Sequence, residues 1–204
     1  MLSKQLKALL LLILLGMPVL FYLFLQSFGE NKYEIPIFFE DGISDRLSGC
    51  EREVPHTIDN YFQSEACDDW SCSEVAGKYT VFCFIKSNCQ SDAISELARV
   101  SNVFREKPFF HAVTIALDSL TDQRVLTKQV ELYSLPESVW SWWSFQQGTE
   151  HLVRCGFNLN IDCDASHMVI LVDSEYRIRG IYNSQDEQEM DRLVTEYQIL
   201  EAEI

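Results

Sequence analysis

The segment that most constrains the fold is YTVFCFI, residues 79–85, in which every side chain is β-branched, aromatic or apolar. A strand without polar alternation is typical of the centre of a sheet that is covered on both faces. The loop KSNC follows it, and then a stretch over 91–106 repeats apolar residues at helical spacing, with Ser91 as the candidate N-cap. A buried strand that leads through a short loop into an amphipathic helix predicts an α/β domain.

The rest of the chain continues the alternation of strands and helices. The same patterns predict a strand at 109–118 and a helix at 124–135 that stops before Pro136, followed by a Trp-rich segment that contains Trp140, Trp142 and Trp143 and by a short helix near 149–155. They then predict a strand, a turn and a strand over 168–183, with the turn opened by Asp173 and Ser174, and a C-terminal helix from 185. We interpret the tryptophans as core residues. This order predicts a thioredoxin-like mixed sheet flanked by helices.

The first 29 residues differ from the rest in composition. Lys4 and Lys7 precede an uncharged run from Ala8 to Gly29 that is mostly apolar, and about 18 to 20 apolar residues are enough to cross a bilayer. We predict an uncleaved transmembrane anchor at 1–29 that enters the membrane through residues 8–28; a removed signal peptide is the alternative. The two lysines place the N-terminus in the cytoplasm, so the chain is predicted to be a single-pass protein of the inner membrane with its C-terminal domain outside.

This topology divides the chain into the anchor, an irregular lead-in at 30–53 and a domain at 54–204. The whole chain has 16 basic and 31 acidic residues, a formal net charge of −15. Without Lys4 and Lys7, 14 basic residues oppose 31 acidic ones, a balance of −17 on the outer side. Such a charge repels a phosphate backbone, which excludes nucleic acid as a partner, and it disfavours an anionic lipid surface.

Seven cysteines in an exported domain predict disulfides, and the odd count leaves at least one thiol free. Cys67 and Cys72 are close in sequence, as are Cys155 and Cys163, so we predict that each pair closes a small loop. Cys83 lies inside the apolar run of 79–85 and is expected to be buried as a small hydrophobe.

Cys89 occupies the one position where chemistry is expected. It follows the first strand and precedes the helix, and a helix N-terminus stabilises a thiolate there. Such a thiolate would be a nucleophile or a ligand for a soft metal. A Cys-x-x-Cys oxidoreductase would have a second thiol three residues on, which this chain lacks, so a resolving thiol would have to come from elsewhere, with Cys50 as the candidate. Asp92 in the first helical turn opposes a thiolate, and the alternative is a Cys89 that is structural or paired with Cys50.

Four segments together carry a family resemblance. In order and separation, PHTIDNYF (55–62), FCFIKSNC (82–89), TIALDSLTD (114–122) and VILVDSEYRIRGIYNSQDEQEMDRLV (169–194) resemble the Sco/SenC proteins over about residues 35–200. The resemblance implies a membrane-tethered, thioredoxin-like domain in the periplasm that binds copper and serves the assembly of cytochrome c oxidase. Thiol-disulfide activity also occurs in the family.

The resemblance also shows where this chain departs from the copper site of the family. Relatives use a Cys-x-x-x-Cys pair and a distant His in an Asp-His-Ser stretch; the first cysteine falls on Cys89, the second on Ala93, and the histidine on Ala165. His167 lies two residues after Ala165, and on an extended strand it would point to the same face. Cys89 and His167 are therefore the remaining candidate metal ligands, with an ordinary hydrogen-bonded role for His167 as the alternative.

The other titratable candidates have structural explanations. Asp118 and Asp122 match acidic positions near the copper loop of the family but also suit helix capping or solvent exposure, and a structural hydrogen bond is expected for His56. His111 and His151 have nothing at metal-ligand spacing around them.

Three functions follow. The first is a divergent Sco/SenC-like protein that lacks most copper ligands, holds copper weakly if at all, and acts on a cytochrome oxidase subunit or another periplasmic protein. The second is a thiol-disulfide oxidoreductase that uses Cys89, which is the only enzymatic activity considered. The third is a non-catalytic thioredoxin-like protein that docks partners and in which Cys89 is inert.

Overall fold

A computed structural model describes residues 4–28, 35–43, 50, 54–62, 74–120, 131–132, 138–143 and 149–203. The chain divides into two compact units, residues 1–34 and 35–204. In the first, the predicted apolar run forms helix α1, Lys4–Phe28. Within the described ranges, we find no helix that is both long and apolar enough to cross a membrane.

The second unit is built on a five-stranded mixed sheet. Its elements, in chain order, are α2 Asp59–Phe62, β1 Tyr79–Ile85, α3 Ala93–Phe104, β2 Phe110–Ala116, β3 Trp140–Trp143, α4 Thr149–His151, which continues as a π-helical turn Leu152–Gly156, a 3-10 turn Ala165–His167, β4 Met168–Val172, β5 Ile178–Asn183 and α5 Glu187–Ala202. The strand order is β3-β2-β1-β4-β5. The predicted mixed sheet with flanking helices is therefore confirmed.

Strand β1 lies at the centre of the sheet, as its apolar sequence predicts. All seven of its residues are buried. It pairs in parallel with β2 and antiparallel with β4, where Cys83 is opposite Val169. Because β4 runs antiparallel to β1, the loop that leaves β1 lies beside the loop that enters β4. This register positions the candidate site.

Each face of the sheet carries its own apolar core. On one face, α3 and α5 pack through residues such as Leu97, Phe104, Leu193 and Tyr197. On the other, Phe82, Phe84 and Phe157 pack with α2 and the π-helical turn. Burial of both faces explains why the central strands lack polar alternation.

The turn between β4 and β5 is organised by Asp173, as the sequence predicts. Its Oδ1 accepts hydrogen bonds from the backbone N–H groups of Glu175 and Arg177, both at 3.0 Å. Its Oδ2 forms ion pairs with Arg177 at 2.8 Å and with the buried Arg179 at 3.0 Å. One carboxylate thus closes the turn and neutralises a buried guanidinium.

The predicted Trp-rich segment is strand β3, which pairs in parallel with β2. Trp143 is buried in the core, whereas Trp140 and Trp142 are half-buried. Of the predicted helix at 124–135, the structure describes only residues 131–132, which are helical; the remainder lies outside the described residues.

Candidate functional site at Cys89 and Cys163

Cys89 lies in the loop between β1 and α3, where the sequence places it. Its backbone N–H donates to the carbonyl of Lys86 at 3.1 Å, which closes a turn directly after β1. Ser87 fixes the same turn to the end of β2, because its N–H and hydroxyl both donate to Asp118 Oδ2, at 3.1 and 2.7 Å. Cys89 itself is half-buried. Asp118 is therefore a loop anchor in this structure.

The partner of Cys89 is Cys163. The two form a disulfide with an S–S distance of 2.01 Å and a Cα–Cα separation of 5.4 Å, although 74 residues separate them in sequence. Cys163 is exposed in the loop before β4. The antiparallel pairing of β1 with β4 brings these two loops together. The sequence separation of the two cysteines gives no indication of this contact.

Two non-covalent links hold the same loops together on either side of the disulfide. Lys86 Nζ donates to the carbonyl of Ile161 at 3.1 Å. The hydroxyl of Ser91 donates to the carbonyl of Ser166 and accepts from the N–H of Ala93 at 3.1 Å. The predicted capping role of Ser91 is corrected in part: Asp92 is the N-cap residue, without a side-chain cap bond, and Ser91 links the helix start to the opposite loop.

The second disulfide joins Cys50 to Cys155, with a Cα–Cα separation of 5.4 Å. The predicted pairing of Cys155 with Cys163 is therefore wrong, and so is Cys50 as the resolving partner of Cys89. The physical reason is local: the π-helical turn directs Cys155 into the apolar core, where it is 3% exposed, whereas Cys163 lies on an exposed loop. Cys67 and Cys72 lie outside the described residues, so their pairing stays a prediction.

Cys83 is the free, buried cysteine of the described chain, as predicted. Its thiol lies 3.2 Å from the Thr114 hydroxyl. Burial raises the pKa of the Cys83 thiol to about 12, and the hydrogen bond with Thr114 offsets this only in part. A thiol that stays protonated in the core is a packing residue and not a nucleophile.

His167 does not lie on an extended strand. Residues Ala165–His167 form a 3-10 turn that precedes β4. With three residues per turn, the side chains of Ala165 and His167 point about 120° apart. The prediction that these two side chains share a face is therefore wrong. Ala165 is buried and His167 is half-buried. Within the described ranges, no three His, Cys, Asp or Glu side chains are arranged to hold a metal ion. The metal-ligand role of Cys89 and His167 stays a prediction.

The remaining histidines have structural surroundings. His56 is buried and its Nε2–H donates to the Gly156 carbonyl at 2.8 Å, which confirms the expected structural bond. His111 is also buried, with Nε2 2.6 Å from the Ser141 hydroxyl. Desolvation lowers the pKa of His111 to about 4, with a smaller contribution from Lys78. His151 is exposed beside the Tyr61 ring, and Asp122 lies outside the described residues.

The residue that sequence reasoning missed is Cys163 as the partner of Cys89. A signal was available: the resemblance aligns Ala165 with a ligand that faces the Cys89 loop, and Cys163 lies only two residues before it. Sequence proximity to Cys155 concealed that signal.

Comparison with solved structures identifies the fold. A SCO1/SenC family lipoprotein from Bacillus anthracis str. Ames superposes with a TM-score of 0.53 at 15% identity, over 63% of this chain and 84% of that one. BsSco, a member of the Sco family of cytochrome c oxidase assembly proteins in which a disulfide switch was identified, gives 0.54 at 14% identity, over 71% and 88%. The domain has the thioredoxin-like fold of the Sco/SenC proteins.

The likeness to Sco/SenC proteins is one of structure. No family model matches the sequence, and no curated protein matches it. At 14 to 15% identity, this likeness shows the fold of the domain. The positions at which the resemblance in sequence expects a second thiol and an imidazole are Ala93 and Ala165.

Proposed function

We propose that this chain is a divergent Sco/SenC-like protein that works by reversible opening of the Cys89–Cys163 disulfide. The observation that carries the proposal is the position of this bond, at the loop where β1 meets α3, between the exposed residue Cys163 and the half-buried Cys89. A disulfide that is accessible from solvent exchanges with external thiols, whereas a buried one does not.

The surrounding contacts support reversibility. The Lys86–Ile161 and Ser91–Ser166 hydrogen bonds join the same two loops as the disulfide. Opening the bond would therefore leave the two thiols close to each other, and re-oxidation would need little chain movement. A structural neighbour described by its disulfide switch, BsSco, fits the same proposal.

The proposal includes the location of the protein. The uncharged, mostly apolar sequence from Ala8 to Gly29 and the preceding Lys4 and Lys7 support a single-pass anchor in the cytoplasmic membrane, with the domain in the oxidising space outside. A cytochrome oxidase subunit or another periplasmic protein is the proposed partner. Fusion of alkaline phosphatase after residue 204 tests the topology, because the enzyme is active only when exported; an inactive fusion would contradict it.

The experiment that tests thiol-disulfide exchange uses the purified full-length protein and an oxidised model peptide with one disulfide. The reduced protein should cleave the peptide disulfide, and a variant with both Cys89→Ser and Cys163→Ser should not. The matched control is Cys83→Ser, which removes a cysteine that the proposal does not use. Equal turnover by the double variant and the wild type would refute the function.

A second candidate, copper binding, is favoured by one observation. When the disulfide is reduced, Cys89 and Cys163 become two adjacent thiols, and two thiolates are soft donors that suit Cu(I). Copper would then be cargo that only the reduced protein accepts, with His167 as a further candidate donor. Competition with a Cu(I) chelator tests this: reduced wild type should bind Cu(I), and the oxidised protein and Cys163→Ser should bind it at least about tenfold more weakly. Equal affinity in all three would end the copper claim.

A further inference from the structure

We infer that Cys163, and not Cys89, is the sulfur that exchanges with a partner thiol, and that Cys89 is the leaving and resolving sulfur. The inference rests on the proposed function. It reverses the expectation from sequence, which singles out Cys89 because that residue precedes a helix.

Access to the two sulfurs differs. A thiolate attacks a disulfide along the S–S axis, from the far side of the sulfur that it bonds. Cys163 is an exposed residue between the exposed Asp162 and Asp164, which favours approach of a partner to this end of the bond. Cys89 is half-buried, in a turn that is held against β2 by the Ser87 contacts with Asp118. The approach to Cys163 is therefore the less obstructed one.

The charges around the two sulfurs also differ. Cys163 lies between two carboxylates, which disfavour a thiolate at that position. Cys89 precedes α3, a helix of 12 residues, whose N-terminal N–H groups favour a negative charge, whereas the Asp92 carboxylate opposes it. Lys86 donates from Nζ to the Ile161 carbonyl in the Cys163 loop, so its charge does not distinguish the two sulfurs. Negative charge is released more easily at Cys89, so Cys89 is the better leaving group.

The exchange then runs in two steps. A partner thiolate attacks Cys163 Sγ, the S–S bond breaks, and Cys89 leaves as a thiolate. A second partner thiolate attacks the partner sulfur of the mixed disulfide and expels Cys163. Two electrons pass from the partner dithiol to the protein disulfide, and the two protons of the partner thiols end on Cys89 and Cys163. In reverse, Cys163 attacks a partner disulfide and Cys89 resolves the mixed disulfide.

Single-cysteine variants test the order of events. Reduced full-length Cys89→Ser and Cys163→Ser are each mixed with the oxidised model peptide, and the mixed disulfides are mapped by mass spectrometry. At a pH above the pKa of both thiols, where each is fully a thiolate and access sets the rate, Cys89→Ser should accumulate a peptide adduct on Cys163 at least about tenfold faster than Cys163→Ser accumulates one on Cys89. Equal rates, or faster trapping on Cys89, would overturn the inference.

A second measurement needs no substitution. Oxidised wild type is treated with cysteamine and quenched with acid at early times, and the cysteamine adduct is located by peptide mapping. The adduct should be on Cys163; an adduct on Cys89 overturns the inference while exchange itself stands. Wild type that exchanges with neither reagent contradicts the proposed function instead, so the two failures are distinguishable.

Discussion

Limited reduction of the folded protein should open the Cys89–Cys163 disulfide and leave the Cys50–Cys155 disulfide closed. Chain entropy does not separate the two bonds. They span 74 and 105 residues, for which the loop-closure relation gives stabilisation of about 4.5 and about 4.8 kcal/mol at most. A difference of about 0.3 kcal/mol is too small to determine which disulfide is reduced first. Access to the sulfurs and stability of the leaving thiolate therefore determine the order.

Burial protects the Cys50–Cys155 bond on both sides. Attack on Cys155 is blocked because that residue is 3% exposed, and attack on Cys50 would expel Cys155 as a thiolate into the apolar core. Cys83 shows the cost of such a thiolate, since burial raises its pKa from the ordinary 9.0 to about 12. That shift corresponds to about 4 kcal/mol. If about half of this energy is already present in the transition state, attack on Cys50 is slowed by about thirtyfold. Restricted access to the bond slows it further.

The assay is a time course of reduction with dithiothreitol, quenched with iodoacetamide and read by peptide mapping. Cys89 and Cys163 should be labelled first, with Cys50 and Cys155 at least about thirtyfold slower, while the circular dichroism of the fold persists. The matched control is the same reduction in guanidinium chloride, where both bonds should open at similar rates. Simultaneous labelling of all four cysteines in the folded protein, or earlier labelling of Cys155, would refute the reasoning.

Three further predictions concern charge, pH and a buried ion pair. At low salt, the double variant Asp162→Asn and Asp164→Asn should increase the rate at which anionic mercaptoacetate reduces the Cys89–Cys163 disulfide about tenfold relative to the rate with cationic cysteamine. The reason is that two carboxylates near the disulfide repel the anion. An increase that persists in 1 M salt, where screening removes such repulsion, would contradict this. The pKa of His111 is about 4 in the folded protein against 6.5 ordinarily, so the folded state binds fewer protons in that window. Its contribution to the free energy of unfolding is present above pH 6.5 and is lost as the pH falls towards 4, by up to about 3 kcal/mol. In urea titrations, His111→Gln should therefore reduce the change of the free energy of unfolding with pH between 6.5 and 4. An unchanged pH dependence would count against this prediction. Asp173→Asn should lower the free energy of unfolding by about 3 kcal/mol, because it leaves the buried Arg179 without its carboxylate, and a loss below about 1 kcal/mol would show that Arg179 finds another partner.

Most elements of the domain could be predicted because their signals are local. Strand β1 is apolar throughout, α3 and α5 repeat apolar residues at helical spacing, and Asp173 marks the turn between β4 and β5. Each of these patterns depends on residues within a few positions of one another. For the same reason the burial of Cys83 followed directly from its place in β1.

The 3-10 turn before β4 was not predictable in this way. His167 adjoins a strand, and the sequence around it carries no feature that distinguishes an extended approach from a turn. The turn is stabilised by backbone bonds from Ser166 N–H to the Cys163 carbonyl and from His167 N–H to the Asp164 carbonyl, at 3.1 and 3.0 Å. The Asp162 carboxylate also accepts from the Ala165 N–H at 3.2 Å. Such short-range alternatives differ by little energy, so the surrounding loops select one.

By itself, the sequence determined an acidic α/β domain that follows an apolar helix along the chain. It also determined a cysteine at the junction of a central strand and a helix. Periodicity and local capping encode these features because they involve neighbours along the chain. Only the tertiary structure decided which sulfur faces Cys89. Strand β4 lies antiparallel beside β1, so the loop that contains Cys163 meets the loop that contains Cys89 across 74 residues of sequence. The π-helical turn meanwhile buries Cys155 in the core, away from its neighbour in sequence.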